Sequence, residues 1–409
     1  MSFEFFIARR ILKNRSATRK VAKPVLNITV WAIALGLIIM ILAISTGNGL
    51  RKAIKDKVTG FGGDIQILNY RPNPGYEQVP IVLDAALIDS LKHDPRIKKL
   101  QAYGQNAGIL KADDLFEGAV LKGVSENYDL HFIEDYLTEG HIPQFRDGTY
   151  DDSILISANL AQKLKLDLFS DCEMYFLRPN KAPLRRKFTV AGIFRTDFDK
   201  LDQSFLLGDL DHVQRLAKWD PHEVGAYEIH LQNIDDPQAF LAELRMKLPF
   251  EYDAMDARSL NLQLFQWLDL FDLNIMLILG IIIIVATINM SIALLILIME
   301  RTTMIGLLKA MGSKNQSIQS IFIINAAYLM GKGLFWGNLI GISLAWLQDH
   351  YGFIKLDPST YYVSVVSIDL NPWHLIGINL ITLAICLICL LIPAYLISRI
   401  RPNKAIRFD

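Results

Sequence analysis

Three stretches of this chain, Val25 to Gly47, Leu273 to Met299 and Trp373 to Ser398, contain no Asp, Glu, Lys or Arg. Each exceeds the roughly 20 residues with which an α-helix crosses the hydrocarbon of a bilayer. Hydrocarbon offers the backbone no water to bond, so such a run is stable there only as a helix that closes its own hydrogen bonds. A fourth stretch, Ile318 to Leu347, qualifies apart from one cation, Lys332. The expectation is a polytopic membrane protein with four transmembrane α-helices, at 25–47, 273–299, 318–347 and 373–398. The remainder, 48–272, has ordinary soluble composition and is long enough to bury its own core. It forms a large α+β domain inserted between helices 1 and 2.

Orientation follows from Lys and Arg near the spans, because long domains translocate regardless of charge. Residues 1–24 carry Arg9, Arg10, Lys13, Arg15, Arg19, Lys20 and Lys23. The 300–317 loop carries Arg301, Lys309 and Lys314, and the tail from 399 to 409 carries Arg399, Arg401, Lys404 and Arg407. The short 348–372 loop has only Lys355. Both termini are therefore expected in the cytoplasm and the 48–272 domain on the far side. The first span is too long for the roughly 7 to 15 residue apolar core of a signal peptide, and Ser45-Thr46-Gly47-Asn48 is not a small-x-small cleavage site. It reads as an uncleaved anchor.

Of the three cysteines, Cys172 stands alone in the exported domain, so no disulfide forms within it. Cys386 and Cys389 make a CxxC inside an apolar helix without further ligands, which favours helix packing over metal or redox chemistry. The exported domain alternates in strand fashion at 64–68, 108–111 and 119–123, with a helix over 84–93. Strand 226–231 and helix 237–247 repeat that order near its end. Between them lie strands at 153–156, 174–177, 187–194 and 205–207, with helices ending at Lys165 and spanning 209–217. This pattern predicts one small α/β subdomain split by the insertion of another.

No reactive constellation emerges. The eight histidines form no HExxH, and no GxSxG or SxxK marks a nucleophile. Gly331-Lys332 is followed by Gly333 rather than Ser or Thr, so it is no phosphate-cradling loop. Acid pairs such as Asp113-Asp114 read as solvated turns. The chain is expected to be non-catalytic, without metal or cofactor of its own and without a nucleic-acid partner.

The loop between the second and third spans is more informative. In ERTTMIGLLKAMG, Met304, Leu307, Leu308 and Met311 recur at helical spacing as one apolar stripe, with Arg301 and Lys309 outside it. Gly312 suits a left-handed helix end. Ser313 with Gln316 three residues on reads as a capping box starting the next helix. A rigid knob and an interfacial helix resting on headgroups both fit that spacing.

The stretch IVATINMSIALLILIMERTTMIGLLKAMGSKNQSI (284–318) resembles the signature of ABC-transporter permeases of the MacB and FtsX type, most closely the lipoprotein-releasing LolC and LolE branch. So do FFIARRILKNR (5–15), WAIALGLIIMILAISTGNGLRKAI (31–54), GAVLKGV (118–124), ILISANLAQKL (154–164), KFTVAGIF (187–194) and IPAYLISRIRPNKAIRF (392–408). The resemblance implies an N-terminal cytoplasmic elbow helix in 1–24 and a periplasmic domain with a Porter-like part (about 64–125 and 225–260) and a Sabre-like insertion (about 126–224). It makes Glu300, Arg301, Met304, Ile305, Leu307, Leu308, Lys309, Met311 and Gly312 a coupling helix docked on a separate, LolD-like ATPase, which binds the ATP and magnesium. A second permease chain, identical or a paralogue, is implied by the two-fold ATPase.

The resemblance also implies location in the bacterial inner membrane among its lipids, a lipoprotein substrate and a periplasmic carrier. Drawing one 16-carbon acyl chain from lipid costs on the order of 12 kcal/mol at about 0.8 kcal/mol per CH₂, so extraction needs coupled energy. Related permeases use the same skeleton for peptide or drug efflux, or to regulate cell-wall hydrolases. Gly333, Gly337 and Gly341 form a small-residue stripe for close helix contact, and Thr287, Asn289 and Ser291 are candidates for interhelical hydrogen bonds. Lys332 lies about 27 Å along its helix from Lys314 at 1.5 Å per residue. It either snorkels to the interface or pairs with Asp269 or Asp272.

Overall fold

The computed structural model describes residues 3–13, 22–70, 78–145, 150–178, 181–232 and 237–399. Arg15, Arg19, Lys20, Arg401, Lys404 and Arg407, which enter the charge argument, lie outside them. Helix α1 (Phe3–Lys13) is followed by α2 (Ala22–Gly62), 41 residues without a break. Then come β1 (Ile65–Asn69), α3 (Ala85–Lys92), β2 (Ile97–Ala112), β3 (Leu115–Val124), α4 (His131–Asp135), β4 (Leu137–Gly140), β5 (Ser153–Ser157), α5 (Ala158–Leu164), β6 (Asp171–Arg178) and β7 (Lys181–Phe194). They lead to α6 (Asp199–Asp202), β8 (Phe205–Asp209), α7 (Leu210–Ala217), β9 (Ala226–Leu231), α8 (Pro237–Lys247), β10 (Tyr252–Asp256) and α9 (Ala257–Leu260). The rest is helical: α10 (Leu262–Glu300), α11 (Thr302–Ala310), α12 (Asn315–Tyr351), α13 (Pro358–Tyr361), α14 (Pro372–Cys389) and α15 (Leu391–Arg399).

Two compact units result. One comprises 1–51, 267–355 and 365–409, the other 52–266 and 356–364. Among the described residues four stretches are long and apolar enough to cross a membrane, Leu26–Gly62, Leu262–Glu300, Asn315–Tyr351 and Pro372–Tyr395, the last two wholly in the first unit. Helices α2, α10 and α12 outrun the apolar segments seen in sequence, and the 373–398 run is two helices rather than one. Pro393 cannot donate to the Cys389 carbonyl, and the break falls at Leu390, just before that proline's turn. The core of the first unit joins Ile33, Met290, Leu294, Ile305, Phe322, Met330 and Cys386.

The second unit is built on a mixed sheet in the order β10-β1-β9-β2-β3-β8-β5-β7-β4, with β6 paired to β2 and β7. All strands from 64–125 and 225–256 lie at one end and β4, β5, β7 and β8 at the other. The two segments expected as separate subdomains therefore share one sheet, joined where β3 runs parallel to β8 from Val120↔Phe205 to Val124↔Asp209 and where β2 pairs antiparallel with β6 from Gly108↔Phe176 to Lys111↔Glu173. Helices α3, α5, α7 and α8 bury Leu91, Leu160, Val213 and Phe240 in its core. Close packing of α7 depends on Gly104 and Gly123, register partners on β2 and β3. A Cβ on Gly123 would come within 2.7 Å of Val213, and one on Gly104 within 2.9 Å.

Candidate functional site

The loop leaving α10 folds as the nine-residue helix α11, shorter than the Glu300–Gly312 segment expected. Glu300 ends α10, and Arg301 sits at the N-cap without a side-chain capping bond. Gly312 adopts φ +88°, its N–H bonds the Lys309 carbonyl, and the Ser313 N–H bonds that of Leu308. These crossed bonds are a Schellman stop. They also correct the expected capping box: Ser313 closes the previous helix, and α12 begins with Lys314 as an N-cap lacking a side-chain bond.

The apolar stripe divides between two faces. Ile305 is fully buried among α10 and α12, and half-buried Met304 and Leu308 pack on the same cluster. Leu307 is 52% exposed and Met311 83% exposed, with Thr303 and Ala310 on the same outward face. Lys309 is half-buried, and burial lowers its pKa from the ordinary lysine value. The outward surface is therefore a small apolar knob held in place by Ile305.

The glycine stripe meets α2. A Cβ at Gly333 would lie 2.7 Å from Ile33, at Gly337 2.9 Å from Leu37 and 3.0 Å from the Ala34 carbonyl, and at Gly341 3.1 Å from Ile41. Backbones this near leave room for no side chain. Thr287 Oγ1 lies 3.5 Å from Cys386 Sγ, linking α10 to α14. A stronger polar tie went unread in the sequence: Asn338 and Asn379 exchange amide hydrogen bonds of 2.7 and 2.9 Å between α12 and α14. The available signal was weak: Asn379 is the lone amide of its apolar run, but Asn338 shares its run with Gln319 and Asn325.

Lys332 does not reach Asp269 or Asp272. Its ammonium sits 4.7 Å from the Tyr328 ring centroid on its own helix, where four-residue spacing stacks the two side chains. Arg51 takes both acids, at 2.9 Å to Asp269 and 2.6 Å to Asp272, tying α2 to α10. Both contacts come from one guanidinium nitrogen, Nη2, whose two N–H groups can each serve one carboxylate.

In the second unit, burial pushes the Cys172 thiol up to about 12, away from reactive thiolate. An open hollow is lined by Ser125, Glu126, Asp129, His131, Glu134 and Pro143, and there the imidazole of His131 lies 3.3 Å from Glu134 Oε2.

Residues 27–247 match the MacB-like periplasmic core domain, and residues 276–402 match the FtsX-like permease C-terminal family. The lipoprotein-releasing system transmembrane protein LolC of Xylella fastidiosa (strain Temecula1) is 20% identical over 396 residues, 93% of each chain. The corresponding LolE of Haemophilus influenzae is 21% identical over 431 residues, 99% of each chain. Among solved structures, the periplasmic region of MacB from Actinobacillus actinomycetemcomitans covers 51% of this chain and 96% of its own, at 14% identity and a TM-score of 0.35.

Proposed function

The chain belongs to the ABC-transporter permeases of the MacB and FtsX type, and on that premise we propose that it is the membrane subunit of a lipoprotein-releasing transporter. Similarity to lipoprotein-releasing LolC over 93% of both chains carries this reading. The knob formed by Leu307 and Met311 docks on a separate ATPase subunit, which holds the nucleotide and its magnesium. It needs shape and rigidity there, and Ile305 supplies the anchor. A second permease chain, identical or paralogous, completes the two-fold assembly. ATP-driven movement of the knobs passes through α10 and α12 to the rest of the bundle.

The chain crosses the inner membrane four times, with both termini and α11 in the cytoplasm and the sheet domain in the periplasm. Purified permease pair and ATPase in proteoliposomes should release an acylated lipoprotein when ATP and a periplasmic carrier are added. Failure of release, with intact ATPase stimulation and with lipoproteins correctly sorted in a depletion strain, would move the assignment to a mechanical regulator of a periplasmic hydrolase.

A further inference from the structure

The last turn of α2 ends against the sheet rather than in solvent, with Val58 and Phe61 buried. A helix end leaves its final carbonyls without intrahelical partners. Here the Gly62 carbonyl accepts from Gln66 Nε2 at 2.8 Å, and the Phe61 carbonyl accepts from Lys122 Nζ. Lys122 stands on β3 and is 1% exposed; the same ammonium meets Glu228 Oε1 on β9 at 2.8 Å, and Glu228 is equally buried. The second Glu228 oxygen accepts from the Tyr128 hydroxyl at 2.5 Å, while the Tyr103 hydroxyl on β2 donates to Gln66 Oε1 at 2.9 Å. Rings of Phe61, Tyr103 and Tyr128 surround the ammonium, with centroids at 4.2, 4.8 and 5.2 Å. Every polar atom of the cluster is engaged, which is the condition for tolerating buried charge.

Stability alone does not account for this arrangement. A buried ion pair is commonly no more stabilising than apolar residues of the same volume, because both charges are stripped of water. Burial indeed lowers the Lys122 pKa, with Glu228 opposing the shift. What charge adds is direction: one ammonium holds one helix carbonyl at one place on the sheet. Lys57, one turn earlier and also buried, donates to the Tyr362 carbonyl and fastens the same helix end to the 356–364 segment.

We infer that Lys122 and Glu228 are positioning residues that clamp the last turn of α2 to β2, β3 and β9, so that displacement of this helix is carried into the sheet instead of being lost as fraying. The role in transport rests on the transporter reading above; the clamp itself does not. It is tested in the full-length chain, assembled with its ATPase and second permease chain in lipid nanodiscs for exchange and in proteoliposomes for release. Lys122→Met leaves Glu228 buried without a counter-charge and is expected to impair folding. The informative variant is Lys122→Met with Glu228→Gln, which removes both charges and the donor to Phe61 at nearly constant volume.

In that double variant, amide exchange over residues 59–63 should accelerate about tenfold, while β3 and β9 amides change by less than about threefold. ATP hydrolysed per lipoprotein released should rise about threefold with ATPase stimulation intact, and Lys57→Met should add to the effect. Unchanged exchange at 59–63, or equal acceleration there and in the sheet, would reduce the pair to an ordinary core contact and overturn the inference. Local loosening with unchanged release per ATP would overturn the transmission role. If the wild-type assembly releases no lipoprotein, the transporter reading falls, and the exchange measurement still decides the clamp.

Discussion

Leu307→Asp and Leu308→Asp are adjacent substitutions of one residue type on one helix, yet they should fail in different ways. Leu307 is 52% exposed, so docking has about half a leucine left to bury. At about 1.5 to 3 kcal/mol for a whole side chain, that half is worth about 1 kcal/mol. Aspartate forfeits it and adds an unpaired carboxylate to a desolvated contact, a penalty of several kcal/mol. A total of about 3 to 5 kcal/mol weakens ATPase binding roughly a hundredfold to a few thousandfold, whereas Leu307→Ala costs only about fivefold. Leu308 packs on the cluster of α10 and α12, so its aspartate variant charges the permease's own core and lowers its unfolding midpoint by several degrees. Permease in nanodiscs titrated with purified ATPase subunit, alongside a thermal melt, separates the two effects. Wild-type affinity for Leu307→Asp would refute docking through this face, and lost affinity with an unchanged melt for Leu308→Asp would refute the assignment of faces.

Gly337→Val should lower the permease's unfolding midpoint by the about 1 to 3 kcal/mol typical of overpacking, because the new Cβ meets the root of Leu37 and the Ala34 carbonyl. Gly280→Ala, inside α10 with nothing within 4 Å of its Cβ, is the control that should not lower the midpoint in the same melt. Hydrogen bonds from Arg96 and Lys247 hold Glu243 at about 2, below its ordinary 4.5, and Arg96 lowers Asp94 as well. Folded values below unfolded ones mean that this contribution is complete above about pH 4.5 and is lost as pH falls towards 2; Arg96→Met should flatten tryptophan-monitored stability over that window. A cysteine at exposed Asn127 should react with an impermeant maleimide in spheroplasts, and one at exposed Lys314 only after lysis; the reverse pattern would invert the orientation.

The apolar segments were legible in the sequence because a run of more than about 20 uncharged residues has one favourable environment whatever else the chain does. The stop at Gly312 was legible for a local reason, since a left-handed backbone at a helix end is nearly free for glycine alone. The stripe of Gly333, Gly337 and Gly341 announced a close contact as well, though not that α2 makes it. Strand and helix alternation in 64–247 located most of the elements between those bounds, because each periodicity follows from backbone geometry.

Burial was decided elsewhere. Periodicity put Met304, Leu307, Leu308 and Met311 on one stripe, but only the positions of α10 and α12 determined that Leu308 faces in and Leu307 out. Asp269 and Asp272 suited any nearby cation, and the packing of α2 beside α10 gave them Arg51 rather than Lys332. Nothing in the local pattern of the 119–123 strand singles out Lys122. It is buried because Phe61 and Glu228, 61 and 106 positions away, arrive at the same point of the sheet. Local sequence determines which surfaces a segment can present; which of them loses its water depends on the segments that come to cover it, and those contacts exist only in the folded chain.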